Sequence, residues 1–564
     1  MTRMSTELLN IDGLPDESVL QQLANDFFQA PPVPQGAAQA IPPSVAGSGI
    51  SPSAVNQGNG VDLNDPQTSL PDPHFAGTGH VPSSVAGSGR SPSARDYGQA
   101  GSLIAGPASE YGQTRGTSPV PTAPTPPAFS SDAAYYFLKE KTPYLKSVES
   151  HPTHSALSAA PYDVNKVRRD FPILQQYVNG HPLIWLDNAA TTQKPQSVID
   201  RISKFYEQEN SNIHRAAHEL AARATDAYEA ARDKVRQFLN AASSNEIVFV
   251  RGATEAINLV AKSWGDQFLQ PGDEIILSHL EHHANIVPWQ QLATARNLKL
   301  KVIPVDDEGQ VLLEAYGALL NPRTKLVSFT QVSNALGTIT PAQKMVAMAH
   351  AVGAKVLVDG AQAVSHMPVD VRALDCDWYV FSGHKVFGPT GIGVLYGKED
   401  LLNETQPWQG GGNMIRDVTF ERTSYQQAPG RFEAGTGNIA DAVGLGAAID
   451  YVSAIGMHLI SQYEHYLLQY ATRLLMGVPG LHIIGTAADK AGVLSFILDG
   501  YKTEEVGAAL NQRGIAVRSG HHCAQPILRR FGQESTVRPS LALYNTCADV
   551  DALVSVLYRL SGRV

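Results

Sequence analysis

The feature that most constrains this chain is a set of short apolar runs that alternate with helical segments from Pro161 onward. EIVFVRG, DEIILSHL, KLVSFTQVS, AKVLVDGA and CDWYVFSG each read as a buried strand. Strands separated by helical stretches imply a largely parallel sheet with crossover helices, an α/β fold. In such sheets ligand chemistry gathers beyond the carboxyl ends of the strands. The residues after each run are therefore the first place to look for function.

The first 160 residues are of another kind. They hold 20 of the 36 prolines, mixed with Gly, Ser, Ala and Gln. Such a segment buries too little apolar surface to offset its chain entropy, so residues 1–160 are expected to be mostly disordered. Two islands depart from this. Asp16 to Ala30 places Leu20, Leu23 and Phe27 at helical spacing behind a candidate N-cap, Asp16. The run AAYYFLKEK within Ser131 to Lys141 also reads as a short helix. Residues 42–54 and 82–94 repeat one motif, SVAGSG-x-SPSA, 40 residues apart. Ten identities in eleven positions are too specific for drift in a low-complexity linker.

Composition excludes several classes. A formal net charge of −10 gives no broad basic surface for nucleic acid. No apolar run is long enough to span a membrane, and the start shows no basic region followed by an apolar one. Three cysteines, Cys376, Cys523 and Cys547, make no disulfide framework and fit a reducing cytoplasm.

The strand-end residues carry chemistry. In SGHKVFGPTGIG, Lys385 follows an apolar run and sits beside Ser382 and His384. A lone loop lysine is by default a solvated charge; an amine buried here has a lowered pKa and forms Schiff bases. Ser382 and His384 would suit a phosphate held beside it. In VLVDGAQA, Asp359 ends a strand, where a turn or cap role is the ordinary one. Opposite a pyridinium nitrogen it would keep a cofactor ring protonated, with Gln362 in reach of the ring hydroxyl. In FVRGATEAINLV a helix begins near Thr254, and its N-terminus offers N–H groups to a phosphate. In SHLEHHANIVPW the adjacent His282 and His283 lack the spacing and companions of a metal site. Stacking of His282 on a flat ring is the better reading. In AVRSGHHCAQP, Cys523 lies in a polar, basic, glycine-containing loop with Arg518 nearby, a setting that favours a thiolate. Cys376, inside ALDCDWYVF, suits a core role, and Cys547 has no reactive neighbours in sequence.

Taken in order, LDNAATTQKP, NSNIHRAAHEL, EHHANIVPWQ, VSNALGT, KVLVDGAQA, FSGHKVFGPTGIG, RFEAGTGN and RSGHHCAQP resemble the group II, SufS-type cysteine desulfurases of pyridoxal-phosphate fold type I. The likeness runs from about Tyr162 to the C-terminus; Ser519 stands where some relatives carry Thr. It implies an aspartate aminotransferase-like fold. The large domain would span 186–452, and a small domain 161–185 with 453–564. It implies pyridoxal 5'-phosphate as cofactor and Lys385 as the Schiff-base lysine. His282 would stack on the ring, with Asp359 and Gln362 at its edge and Thr254, Ser382 and His384 at the phosphate. Thr436 would serve the neighbouring subunit of a homodimer. Asn334, Arg518 and Arg538 would hold L-cysteine, and Cys523 would take its sulfur. A small SufE- or SufU-type acceptor for iron–sulfur cluster assembly, served by an unencapsulated enzyme, stays open as a destination, as do a thiol reductant and a stored form of sulfur. Selenocysteine lyase is the rival activity on the same fold; a scaffold without activity is the rival class. The tail, with LANDFFQA at 23–30 and the two repeats, resembles the extensions of cysteine desulfurases packaged in encapsulin shells, which implies shell binding through residues 1–160 and sulfur sequestration.

Overall fold

The computed structural model describes residues 162–214 and 218–562. The two islands and the repeats of residues 1–160 lie outside them.

The apolar runs become the strands of a seven-stranded sheet. In chain order these are β1 (Ile247–Val250), β2 (Glu274–Ser278), β3 (Lys299–Ile303), β4 (Thr324–Thr330), β5 (Lys355–Asp359), β6 (Trp378–Ser382) and β7 (Gly393–Gly397). Their spatial order is β1-β7-β6-β5-β4-β2-β3. The pairs from β6 through β3 are parallel, and β7 runs antiparallel between β6 and β1. β1, β2, β6 and β7 are buried along their whole length, as strands covered on both faces require. One core lies on each face. Val327, Phe329, Val356 and Phe381 belong to one, and Val248, Ile275, Leu357 and Val380 to the other. Successive residues of β5 and β6 thus point to opposite cores, as a period of two demands.

The last hundred residues build a separate four-stranded antiparallel sheet, ordered Leu481–Ile483, Phe496–Leu498, Thr536–Arg538, Arg518–Gly520. Its core includes Phe496, Val537, Leu467, Leu553 and Leu557. Tyr162, Phe171 and Leu186 join the same core, and Ile515–Ala516 pairs in parallel with Ile184–Trp185. The start of the described chain is thereby packed against its end.

No single described helix is long and apolar enough to cross a membrane; Ile439–Ile455 and Met457–Met476 qualify only as a pair bent by 74°.

Candidate active site

The carboxyl ends of β2, β4, β5 and β6 converge on a cavity of about 190 Å³. Of the residues given a site role by the resemblance, all but Cys523 and Thr436 line it: Thr254, His282, Asn334, Asp359, Gln362, Ser382, His384, Lys385, Arg518 and Arg538. A wider opening beside it shares Thr254, Ser382 and His384 and continues past Arg251 and Trp408.

At the lysine end, β6 stops at Ser382 and turns through Gly383–Lys385. Ser382 Oγ accepts the N–H of Ala253 at 2.9 Å, which pins the start of the helix Ala253–Val260 beside the turn and leaves the hydroxyl proton free to donate. No side chain caps that helix. The N–H groups that follow Ala253 in its first turn remain available to an anion at the opening. A Cβ at Gly393 would lie 2.5 Å from the Gly252 Cα, so β7 approaches the helix start this closely only because residue 393 is glycine. Burial pushes the Lys385 amine down to about 8, with Asp359 opposing the shift. It likewise pushes His384 down to about 4.

Asp359 ends β5, fully enclosed, with Oδ1 accepting the N–H of Ala361 at 2.9 Å. Burial raises its pKa, while its own backbone bond and Lys385 pull the other way. Gln362 is oriented by donating Nε2–H to Ala189 O at 2.7 Å. His282 Nδ1 accepts the N–H of Ala284 at 3.0 Å. Burial first, then Lys385, holds this imidazole neutral, at about 3.

At the opposite end, antiparallel pairing sets Arg518 across from Arg538. Arg538 is buried and donates to Asn334 O at 2.9 Å and to Asp187 Oδ1 at 3.1 Å. Burial pushes Arg538 down to about 10 and raises Asp187 in spite of their pairing. Arg518 Nη2 reaches Cys523 Sγ at 3.8 Å, which brings the thiol to the edge of the cavity. Asn334 Oδ1, His522 Nδ1 and Arg538 Nε are buried without a partner, on side chains that line the cavity. Buried polar atoms left this way point to a ligand or water that completes them.

Thr436 stands apart, exposed, with Oγ1 at 3.5 Å from Asn212 Oδ1. Cys376 is buried in the core with its thiol pKa raised by burial, and Cys547 is half-buried beside the Tyr466 hydroxyl. Among the described residues no cluster of His, Cys, Asp and Glu is placed to hold a metal.

The sequence reading missed several residues in or beside the site. Asp187 lies inside LDNAATTQKP, but nothing local connects it to Arg538. His522, likewise in a quoted motif, is buried with Nε2 at 2.8 Å from Thr536 Oγ1. Lys194 is a second buried amine, pushed down to about 8 by burial, whose Nζ bonds the Thr192 carbonyl. Glu281 is fully buried next to His282; its carboxylate accepts from Asn285 Nδ2 at 2.6 Å and Thr330 N at 3.0 Å. Only its position beside the paired histidines hinted at it.

A lysine at the end of a parallel strand, an aspartate at the end of its neighbour, and an uncapped helix start form the site of a fold-type-I pyridoxal-phosphate enzyme. The comparisons narrow this. The family profile Aminotransferase class-V matches residues 184–553. A cysteine desulfurase of Synechococcus elongatus is 64% identical over 466 residues, covering 78% of this chain and 74% of the relative. One from Dickeya dadantii is 54% identical over 400 residues, 71% of this chain and 97% of the relative. The crystal structure of the cysteine desulfurase CsdA from Escherichia coli superposes with a TM-score of 0.67 at 39% identity, covering 72% of this chain and 99% of that one. The apo cysteine desulfurase of Thermococcus onnurineus gives 0.68 at 38%, covering 71% and 98%. This chain belongs to the cysteine desulfurase family of class-V aminotransferases, enzymes that depend on pyridoxal phosphate.

Proposed function

We propose that this chain converts L-cysteine to L-alanine by passing the substrate sulfur to Cys523, as a group II, SufS-type desulfurase. The observation that carries this reading is the approach of Arg518 to the Cys523 thiol at 3.8 Å, from a cavity that also holds Lys385.

The residues present fit pyridoxal phosphate. Ser382, His384, Thr254 and the uncapped helix start would hold its phosphate, Lys385 would anchor it, His282 would cover one face, and Asp359 and Gln362 would hold its edge. When bound, it supplies an electron-withdrawing ring that makes the substrate Cα proton acidic and weakens the Cβ–S bond. Arg538 offers the substrate carboxylate a planar fork, with Asn334 and Arg518 beside it. The Lys385 amine, with its pKa lowered to about 8, takes the Cα proton. The Cys523 thiolate attacks the substrate sulfur. An S–S bond forms, the Cβ–S bond breaks, and the carbon fragment takes up a proton and leaves as alanine.

Cys523→Ser tests the assignment. The variant keeps the yellow cofactor and loses persulfide formation from cysteine; sulfide release at the normal rate by this variant overturns it.

The same reading divides the folded part into a large domain over 186–452 and a small one over 161–185 and 453–564; most of the core around the small sheet comes from the second set, although Leu186, Phe387 and Val452 join it and Ala524, Ile527 and Leu528 pack into the large core. It takes the active unit as a homodimer, with Thr436 serving the neighbouring site. Residues 1–160 are read as an address for an encapsulin shell, on the strength of LANDFFQA and the repeated SVAGSG-x-SPSA. Several weak motifs on one tether gain avidity of roughly 10²–10⁴-fold against a surface of repeated sites. Inside a shell the sulfur is sequestered rather than handed to a SufE- or SufU-type acceptor. Fusion of residues 1–160 to a fluorescent protein tests this: the fusion loads into the cognate shell, and full loading of an enzyme lacking these residues overturns it.

A further inference from the structure

The loop that carries Cys523 is held in an uncommon shape. His522 and Cys523 have φ of 53° and 54°, the left-handed region that side-chain-bearing residues adopt only where the surroundings hold them. The holding groups come from the strand ends of the large sheet. The N–H of His283 donates to Cys523 O at 2.8 Å, and Asn334 Nδ2 donates to His522 O at 2.7 Å. The His283 ring adds two further contacts. It stacks on His521 with centroids 5.8 Å apart and planes 27° from parallel. Its Nε2 lies 3.4 Å from the N–H of Gln525, the first residue of the helix that follows Cys523. His521 closes the loop on itself, its Nδ1 accepting the Cys523 N–H at 3.0 Å.

We propose that His283 is a positioning residue for the sulfur-transfer step. Its main chain and ring, with the stacked His521, fix the loop that aims the Cys523 thiol into the cavity. His283 follows His282, which lines the cavity, so one turn after β2 serves both sides of the site. The ring accepts from Gln525 only while Nε2 keeps its lone pair. Burial and the neighbouring His521 hold the His283 pKa below its ordinary value, which keeps that lone pair free at neutral pH.

The inference rests on Cys523 as the sulfur acceptor. His283→Phe keeps a flat ring for His521 and removes the acceptor; His283→Gln returns an acceptor. Holoenzyme of each is mixed with one equivalent of cysteine. The change in cofactor absorbance is followed first, then persulfide on Cys523 by mass spectrometry. In His283→Phe the absorbance change and KM stay at wild-type values. Persulfide formation slows roughly tenfold to a hundredfold, the cost of a reacting group displaced by about an ångström. His283→Gln recovers most of the rate. Persulfide formation at the wild-type rate in His283→Phe overturns the inference, and so does a parallel loss of both steps. If His283→Phe does not take up cofactor, His521→Phe is read in the same way, with the same outcomes. Persulfide found on a residue other than Cys523 overturns the underlying reading instead.

Discussion

Lys385 and Cys523 face one cavity from two kinds of support. Lys385 sits one turn beyond a strand buried along its whole length, and its neighbours are fixed by the sheet. Cys523 sits on a half-exposed loop in a left-handed backbone, held by hydrogen bonds from another part of the fold. The two left-handed residues together cost on the order of 2–6 kcal/mol, at roughly 1–3 kcal/mol each. The group that must anchor a cofactor is on the rigid element. On the proposed reading, the group that takes the sulfur atom is on a loop held by partners from a distant part of the chain. On that reading, one site combines a centre fixed by its own sheet with a nucleophile whose aim depends on groups from elsewhere in the fold.

The largest effect tests the rigid side. Lys385→Ala removes the cofactor's covalent anchor and the base together, so turnover is lost. The absorbance of the bound cofactor changes as well, and an unchanged spectrum breaks the assignment. Next comes the substrate end, which both supports share. Arg538→Lys keeps a charge beside Asp187 but loses the planar fork. Charged hydrogen bonds are worth about 1.5–3 kcal/mol, so kcat/KM for cysteine falls on the order of tenfold to a hundredfold. Steady-state kinetics with cofactor occupancy measured alongside check this, and a KM unchanged from wild type refutes the carboxylate role.

A smaller effect concerns pH and the loop. His522 is buried among Arg538 and Arg518, and burial pushes it down to about 2 from 6.5. Between those values the unfolded chain binds the extra proton and the folded chain does not. Stability is therefore lost as pH falls below 6.5, by up to about 1.4 kcal/mol per pH unit from this group. His522→Gln flattens that part of the curve in denaturant titrations at several pH values; an unaltered slope shows that the ring is not held neutral by its site. The smallest effect is expected from the tail. The motifs that contain Lys385 and Cys523 all lie after residue 160, so removal of that segment is expected to leave kcat and KM as they are. A loss of activity would show that the tail completes the site.

Much of the site was legible because parallel sheets place chemistry at strand ends. Lys385, Asp359 and His282 each follow a strand-like run, and Thr254 opens the helix that follows one. Each could be found by reading a short window. The small sheet was less legible. Its strands are three residues long, too short for a period to show, and Arg518 meets Arg538 only through antiparallel pairing. Lys194, Glu281 and His283 look like ordinary residues in their windows, since what distinguishes them is burial and distant partners.

The sequence by itself determined the class of fold, the change of composition near residue 160 and the candidate groups at the strand ends. These depend on local alternation of apolar and polar residues and on motifs a few residues long. Only the tertiary structure decided which distant groups meet. It joined Asp187 to Arg538, Asn334 to the carbonyl of His522, and His283 to both Cys523 and Gln525, across separations of 351, 188 and about 240 residues. Hydrogen bonds of that kind act over about three ångströms. They exist only once two cores have packed and brought the strand ends of one sheet against a loop of the other.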